Sequence, residues 1–140
     1  AKHSKAREII AIEKNPEAYN YFVESIELNK IGNISAMQGD CAVAAGALQK
    51  MADRIIMGYL PDTEKFLPYA LLMAKNGCTI HYHNTYNTKE LWKKPLGEIN
   101  LVAKKFHFSH TILTKKKVKS YAPNVWHVVV DFRVNRDKSG

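Results

Sequence analysis

Cysteine is nearly absent from this chain: Cys41 and Cys78 are the only two in 140 residues. Both sit among apolar neighbours, which argues against a disulfide framework and for a reduced, cytosolic protein, so the expected localisation is cytoplasmic. No apolar run approaches the ~18 residues of a membrane span, and no membrane or metal partner is expected. Neither a signal peptide nor another targeting segment is visible, and there is no internal repeat or low-complexity linker. Acidic residues are scarce, 13 against 21 lysines and arginines, leaving a formal charge of +8. A surface of that sign attracts polyanions, nucleic acid first, although a lysine-rich chain can also be merely soluble and basic. No aromatic pair of the kind that stacks RNA bases on a sheet is present. With 46% apolar residues, a chain of this length suits one domain, 1–140, with a single three-layer core.

The most informative stretch runs from Arg7 to Asp40. A strand, Ile9-Ile10-Ala11-Ile12, closes on Glu13. Asn15 is a good N-cap and Pro16 suits the first helical position, where its missing N–H costs nothing. Tyr19, Phe22, Val23 and Ile26 then recur at helical spacing as one apolar stripe, and Gly32 is expected to close the helix in the left-handed region. A second strand, Ile34 to Met37, ends on Gly39-Asp40. Two carboxylates thus stand at strand C-terminal ends, where open α/β sheets bind ligands. A carboxylate there can accept from both ribose hydroxyls of a nucleoside, and the next can accept from an adenine amine. The alternative is that both are solvated punctuation.

Further along, Cys41 to Met51 reads as an alanine-rich helix, and Arg54-Ile55-Ile56-Met57 as a strand buried on both faces of a parallel sheet. Thr63 or Glu64 opens another helix, with Phe66, Ala70, Met73 and Ala74 inward and Gly77 at its end; Pro68 sits awkwardly within it. Cys78 to His83 is a strand. Lys89 to Lys105 is helical with an interrupting Pro95-Leu96-Gly97. Phe106 to Leu113 and Trp126 to Val134, joined by a lysine-rich connection, form an antiparallel ribbon. Asp137 to Gly140 is a frayed end.

Specific residues sharpen this order. Ala11-Ile12-Glu13-Lys14-Asn15-Pro16-Glu17-Ala18, Leu28-Asn29-Lys30, Gly39-Asp40, Asp53-Arg54-Ile55-Ile56-Met57 and the closing Lys119 to Asp131 resemble the tRNA-modifying branch of the class I S-adenosylmethionine-dependent transferases. That branch contains the guanine-N1 tRNA methyltransferases and the wybutosine-pathway aminocarboxypropyltransferases. The two groups part at the fourth-strand motif, where the methyltransferases place Asn or Asp before Leu-Pro. Here the motif is Met57-Gly58-Tyr59-Leu60-Pro61-Asp62-Thr63. Gly58-Tyr59 followed by Ile80-His81-Tyr82-His83 is similar to the archaeal aminocarboxypropyltransferases.

The resemblance implies an α/β, Rossmann-like class I fold, a mostly parallel sheet with a C-terminal antiparallel strand pair. It also implies an N-terminally incomplete domain: the family's first strand and glycine-rich loop would precede Ala1, leaving Ala1 to Arg7 as the end of the following helix. The implied cofactor is S-adenosyl-L-methionine. The implied reaction moves its 3-amino-3-carboxypropyl group to the tricyclic modified guanosine beside the anticodon of phenylalanine tRNA. Methylation of tRNA guanine and a noncatalytic basic RNA-binding role are the alternatives. On this footing Glu13, Asn15, Asp40, Cys41, Gly58 and Tyr59 bind cofactor, and Gly58, Tyr59, Pro61 and His83 form the catalytic set. Asp62 and Thr63 contact the donor or cap a helix. His81 and His83 share a strand face and serve tRNA phosphate, proton transfer, a metal that lacks a third ligand motif, or no active role. Lys104, Lys105, Lys115, Lys116, Lys117 and Lys119 suit phosphate contacts or guard an edge strand. Phe106 and Phe108 are expected in the core.

Overall fold

Residues 3–138, the part that the computed structural model describes, hold six strands and four helices in two units divided after Ala47. In the first unit β1 (Ile9–Glu13) and β2 (Ile34–Gln38) pair in parallel, Ile9 opposite Ile34 and Glu13 opposite Gln38. Helix α1 (Pro16–Leu28) connects them. Its start follows from Asn15, whose side chain accepts the N–H groups of Glu17 at 2.9 Å and Ala18 at 3.3 Å, two donors with no partner inside the helix. Tyr19, Phe22, Val23 and Ile26 are the half-buried positions of α1 and the rest are exposed, so the predicted stripe is the face that packs on β1 and β2.

The helix ends earlier than Gly32 suggests. Lys30 takes the left-handed conformation at φ 51°, and the Lys30 and Ile31 N–H groups bond the carbonyls of Glu27 and Ile26. The helix end is satisfied before Gly32 is reached. Helix α2 (Cys41–Ala47) is also shorter than expected. Farther on, the Lys50 and Met51 N–H groups are taken by the Leu72 and Met73 carbonyls, so that backbone is engaged outside the helix. Residues 3–7 form turn and bend rather than a helix end, and the Ala6 carbonyl accepts from the Asn33 side chain at 2.9 Å.

The second unit is a four-stranded sheet in the order β3-β4-β6-β5. Strand β3 (Ala52–Met57) runs parallel to β4 (Ala74–Asn87); β6 (Val125–Arg136) lies antiparallel between β4 and β5 (Phe108–Ala122). One face is the core. Ile80, Tyr82, Val128, Val130, Phe132 and Val134 bury against Leu67, Ala70 and Leu71 of α3 (Leu67–Met73) and Ile99 and Ala103 of α4 (Lys93–Lys105). Contrary to expectation β3 is not buried on both faces: Ile56 is 74% exposed, because β3 is an edge strand of this sheet and its side chains alternate.

Proline and glycine mislead at three places. Pro68 falls in the first turn of α3, after a separate 3-10 turn over Thr63–Phe66, where its missing N–H costs nothing. Pro95 likewise lies in the first turn of α4. Gly77, at φ +79°, lies inside β4 where its register with β3 shifts, marking a bulge rather than a helix end. The lysine-rich connection is itself strand: Lys115, Lys116 and Lys117 pair with Val130, Val129 and Val128. Phe108 is in the core as expected, whereas Phe106 is 40% exposed. Asp137 is tied by its N–H to the His107 carbonyl at 2.8 Å; Ser139 and Gly140 lie outside the described residues.

At one end of the second unit the C-terminal ends of β3 and β4, the loop after β3, the start of α4 and the β5–β6 turn come together. The Thr88 N–H donates to the Asn124 carbonyl at 2.8 Å there. Lys104 and Lys105 sit at the opposite end, next to the start of β5, where Phe108 pairs with Arg136. The six lysines grouped from sequence are therefore two separate sets.

Candidate functional site

In the first unit, the parallel pairing that sets Glu13 opposite Gln38 puts both predicted carboxylates at the same sheet edge. The Glu13 carbonyl accepts the Gly39 N–H at 2.9 Å. One Glu13 carboxylate oxygen accepts the Asn15 N–H at 2.8 Å; the other has no hydrogen bond among the described residues. Asn15 thus shapes the turn that holds Glu13 as well as capping α1. Asp40 accepts the Ala42 N–H through Oδ1 at 2.9 Å and Lys14 Nζ through Oδ2 at 2.9 Å. The Lys14 hydrogen bond, followed by that from Ala42, holds the Asp40 carboxyl below its ordinary range. This ion pair was missed from sequence. It is solvent-exposed and therefore easily exchanged for another donor, such as a ligand amine. Cys41 begins α2, and burial, then the Asp40 charge, pushes its thiol up, so it is held as a thiol rather than a reactive thiolate.

In the second unit, Gly58, Tyr59 and Pro61 share the loop between β3 and the Thr63–Phe66 turn. A Cβ built on Gly58 would meet nothing within 4 Å. Tyr59 is 65% exposed yet fixed: its ring stands edge-on to Phe66 at 5.2 Å and 71°, and its carbonyl accepts from the buried Thr63 hydroxyl. Asp62 occupies the N-cap position at φ 73° without a side-chain cap bond and pairs instead with Lys65 at 2.8 Å. Capping by Asp62, an expected duty, is therefore not what it does.

Behind the turn lies a polar cluster that the sequence reading missed. The Asn84 amide donates to the Glu64 carboxylate at 2.8 Å and to the Tyr82 hydroxyl at 3.0 Å. Glu98 accepts from the hydroxyls of Tyr82 and Tyr86. Burial foremost raises both phenols well above their ordinary range, so both remain donors. The available signal was the run Tyr82-x-Asn84-x-Tyr86, three polar-tipped residues on one strand face.

His81 and His83 do share the other face. The His81 Nδ1 lies 2.6 Å from Asp131 Oδ1 and its Nε2 lies 3.1 Å from Arg54 Nη1, so the ring donates to the carboxylate and accepts from the guanidinium. The Thr114 hydroxyl donates to the second Asp131 oxygen at 2.9 Å. His83 Nδ1 meets His127 Nε2 at 3.0 Å. Burial, then the His127 charge, lowers the His83 pKa; burial, then Lys119, lowers that of His127. His83 thus engages His127, on the face away from Asn84. Among the described residues no three His, Cys, Asp or Glu side chains are placed to hold a metal, and no helix is long and apolar enough to cross a membrane.

The family model for the TRM5/TYW2 methyltransferase domain matches residues 1–111. The chain belongs to that family. It is 40% identical over 136 residues to the tRNA(Phe) (4-demethylwyosine(37)-C(7)) aminocarboxypropyltransferase of Methanocaldococcus jannaschii, covering 97% of this chain and 54% of that protein. It is 42% identical over 135 residues to the protein of the same name from Pyrococcus horikoshii, covering 96% and 48%. The solved structure of M. jannaschii TYW2 in complex with AdoMet superposes with a TM-score of 0.92 at 40% identity, over 97% of this chain and 61% of that one. The Rossmann-like class I fold expected from the resemblance is thereby established, with parallel pairs leading to C-terminal antiparallel strands. The chain spans about half the length of the curated relatives it matches.

Proposed function

We propose that this chain, 1–140, is part of the catalytic domain of a cytoplasmic tRNA-modifying transferase. It moves the 3-amino-3-carboxypropyl group of S-adenosyl-L-methionine to the tricyclic modified guanosine beside the anticodon of tRNA(Phe). What carries this reading is the identity to the two archaeal aminocarboxypropyltransferases, and it is consistent with Gly58, where an added Cβ meets nothing within 4 Å, standing on the loop where the sister methyltransferases keep a polar side chain.

The residues present fit the cofactor. Glu13 keeps an oxygen for a ribose hydroxyl, and Asp40 exchanges its exposed lysine for an adenine amine, both at the ends of parallel strands. Asn15 holds the turn carrying Glu13, and Cys41 contributes an unreactive thiol beside Asp40. When bound, the cofactor supplies a sulfonium with three electrophilic carbons. The loop's part is orientation: Tyr59 and Pro61 form a wall, Gly58 leaves room for a donor pose other than methyl transfer, and near-attack geometry decides which carbon reacts. His83, neutral at pH 7, is suited to accept a proton. For the RNA, Lys115, Lys116, Lys117 and Lys119 form no ion pair among the described residues, and Lys115 and Lys117 lie over the Trp92 and Trp126 rings. This supports phosphate contacts along β5.

The test uses the full-length protein with tRNA and S-adenosyl-L-methionine labelled separately in the carboxyl and methyl carbons. Carboxyl label is expected in the tRNA, and Gly58→Asn is expected to raise the methyl share at least about tenfold, a change of roughly 1.4 kcal/mol between the two barriers. Methyl label from the unmodified protein would instead support the alternative, a tRNA guanine-N1 methyltransferase. Neither label, with no cofactor bound, would leave a noncatalytic RNA-binding role.

A further inference from the structure

We infer that Asn84 is a positioning residue for the Gly58–Pro61 loop, acting through Glu64; this rests on the transferase reading above. Asn84 is 2% exposed, and a buried carboxamide is costly unless its donors and acceptor are all met. Here they are. Its oxygen accepts the Thr85 N–H at 2.9 Å, and its amine donates to Glu64 Oε2 at 2.8 Å and the Tyr82 hydroxyl at 3.0 Å. Tyr82 in turn is anchored on Glu98 at 3.0 Å, so the amide cannot turn without breaking bonds inside the core. Glu64 follows Thr63, whose hydroxyl holds the Tyr59 carbonyl. The path from a rigid central strand to the backbone of Tyr59 is therefore short and continuous. Glu64 is only half buried and lies in a four-residue turn; the Asn84 amide ties that turn to the core strand, alongside the Thr63 hydroxyl that ties it to Tyr59. None of these groups needs to touch substrate. Their effect is on where Tyr59 and Gly58 stand when the donor carbon is chosen.

The experiment is group transfer by the full-length protein from carboxyl- and methyl-labelled S-adenosyl-L-methionine to tRNA, measuring kcat, the cofactor KM, the label ratio and the melting temperature. Asn84→Asp sets a carboxylate against Glu64 and is expected to lower kcat about 30–100-fold, leave the cofactor KM within about threefold, and shift the label ratio towards methyl. Adding Glu64→Gln reverses the pair's polarity and is expected to restore at least about tenfold of kcat. Should Asn84→Asp fail to fold, Glu64→Ala removes the same contact from the half-exposed side, and about a tenfold loss of kcat at an unchanged melting temperature is expected. The inference is overturned if an unmodified protein that transfers carboxyl label keeps its kcat and label ratio within about twofold in Asn84→Asp or, where that variant does not fold, in Glu64→Ala. It is also overturned if the double variant, folded, is no faster than Asn84→Asp alone. An unmodified protein that transfers neither label refutes the transferase reading first and this inference with it.

Discussion

The two units spend their residues differently. Among the described residues of the first unit only Ala44 and Ala45 are buried, and α1 has no buried residue at all. The second unit closes a continuous core from Met57 to Val134 around Tyr82 and Phe132. The first holds its carboxylates by exposed contacts, Glu13 with Asn15 and Asp40 with Lys14. The second fixes its loop from within, through Asn84 and Thr63. On the proposed function, the exposed rim contacts of the first unit would serve to take up a donor, and the internally held loop of the second to aim it.

The sharpest way to break this comparison is truncation. Phe132→Ala in the second unit is expected to cost about 3–5 kcal/mol in denaturant unfolding, whereas Phe22→Ala on the half-buried stripe of α1 costs about 1–2 kcal/mol; equal losses would erase the distinction. Glu13→Gln keeps an acceptor for the Asn15 N–H while removing the charge. It is expected to weaken S-adenosyl-L-methionine binding about tenfold, roughly 1.4 kcal/mol, with no change in the melting temperature of the ligand-free protein. Calorimetric titration showing unchanged affinity would remove Glu13 from the site.

The smallest effect concerns pH. His83 and His127 both have folded-state pKa values below the ordinary histidine value, so the unfolded chain binds protons first as the solution acidifies. Their contribution to stability is complete above roughly pH 6.5 and is lost as pH falls through the lowered folded values. A His83→Asn, His127→Asn variant is expected to lose about 1–3 °C less than the parent between pH 7.5 and 5.5. An identical loss would show that this pair, the soft spot of the rigid unit, carries no proton linkage.

How far the residues announced all this depended on the range of the forces involved. Helix α1 was legible because Asn15-Pro16 and the Tyr19 to Ile26 stripe act over a few residues. Glu13 and Asp40 were legible because a strand end shows in the local pattern. The first half of β5 was legible as Phe106 to Leu113, but its second half was hidden, since Lys115 to Lys119 read as a connection and become strand only through pairing with β6. Gly77 and Pro68 were read as punctuation, but a bulge and a first helical turn tolerate them. The Asn84–Glu64 bond joins positions 20 apart in the chain, and Asp131 reaches His81 across 50. No periodicity encodes such pairs.

The emptiness around the Gly58 Cβ position has a bearing on descent. A Cβ can be added there without meeting a neighbour, so if this position separates the two donor chemistries as proposed, a lineage could cross between them without first repacking the loop. In a family holding both kinds of transferase, the position would then be a crossing one codon wide, open in both directions.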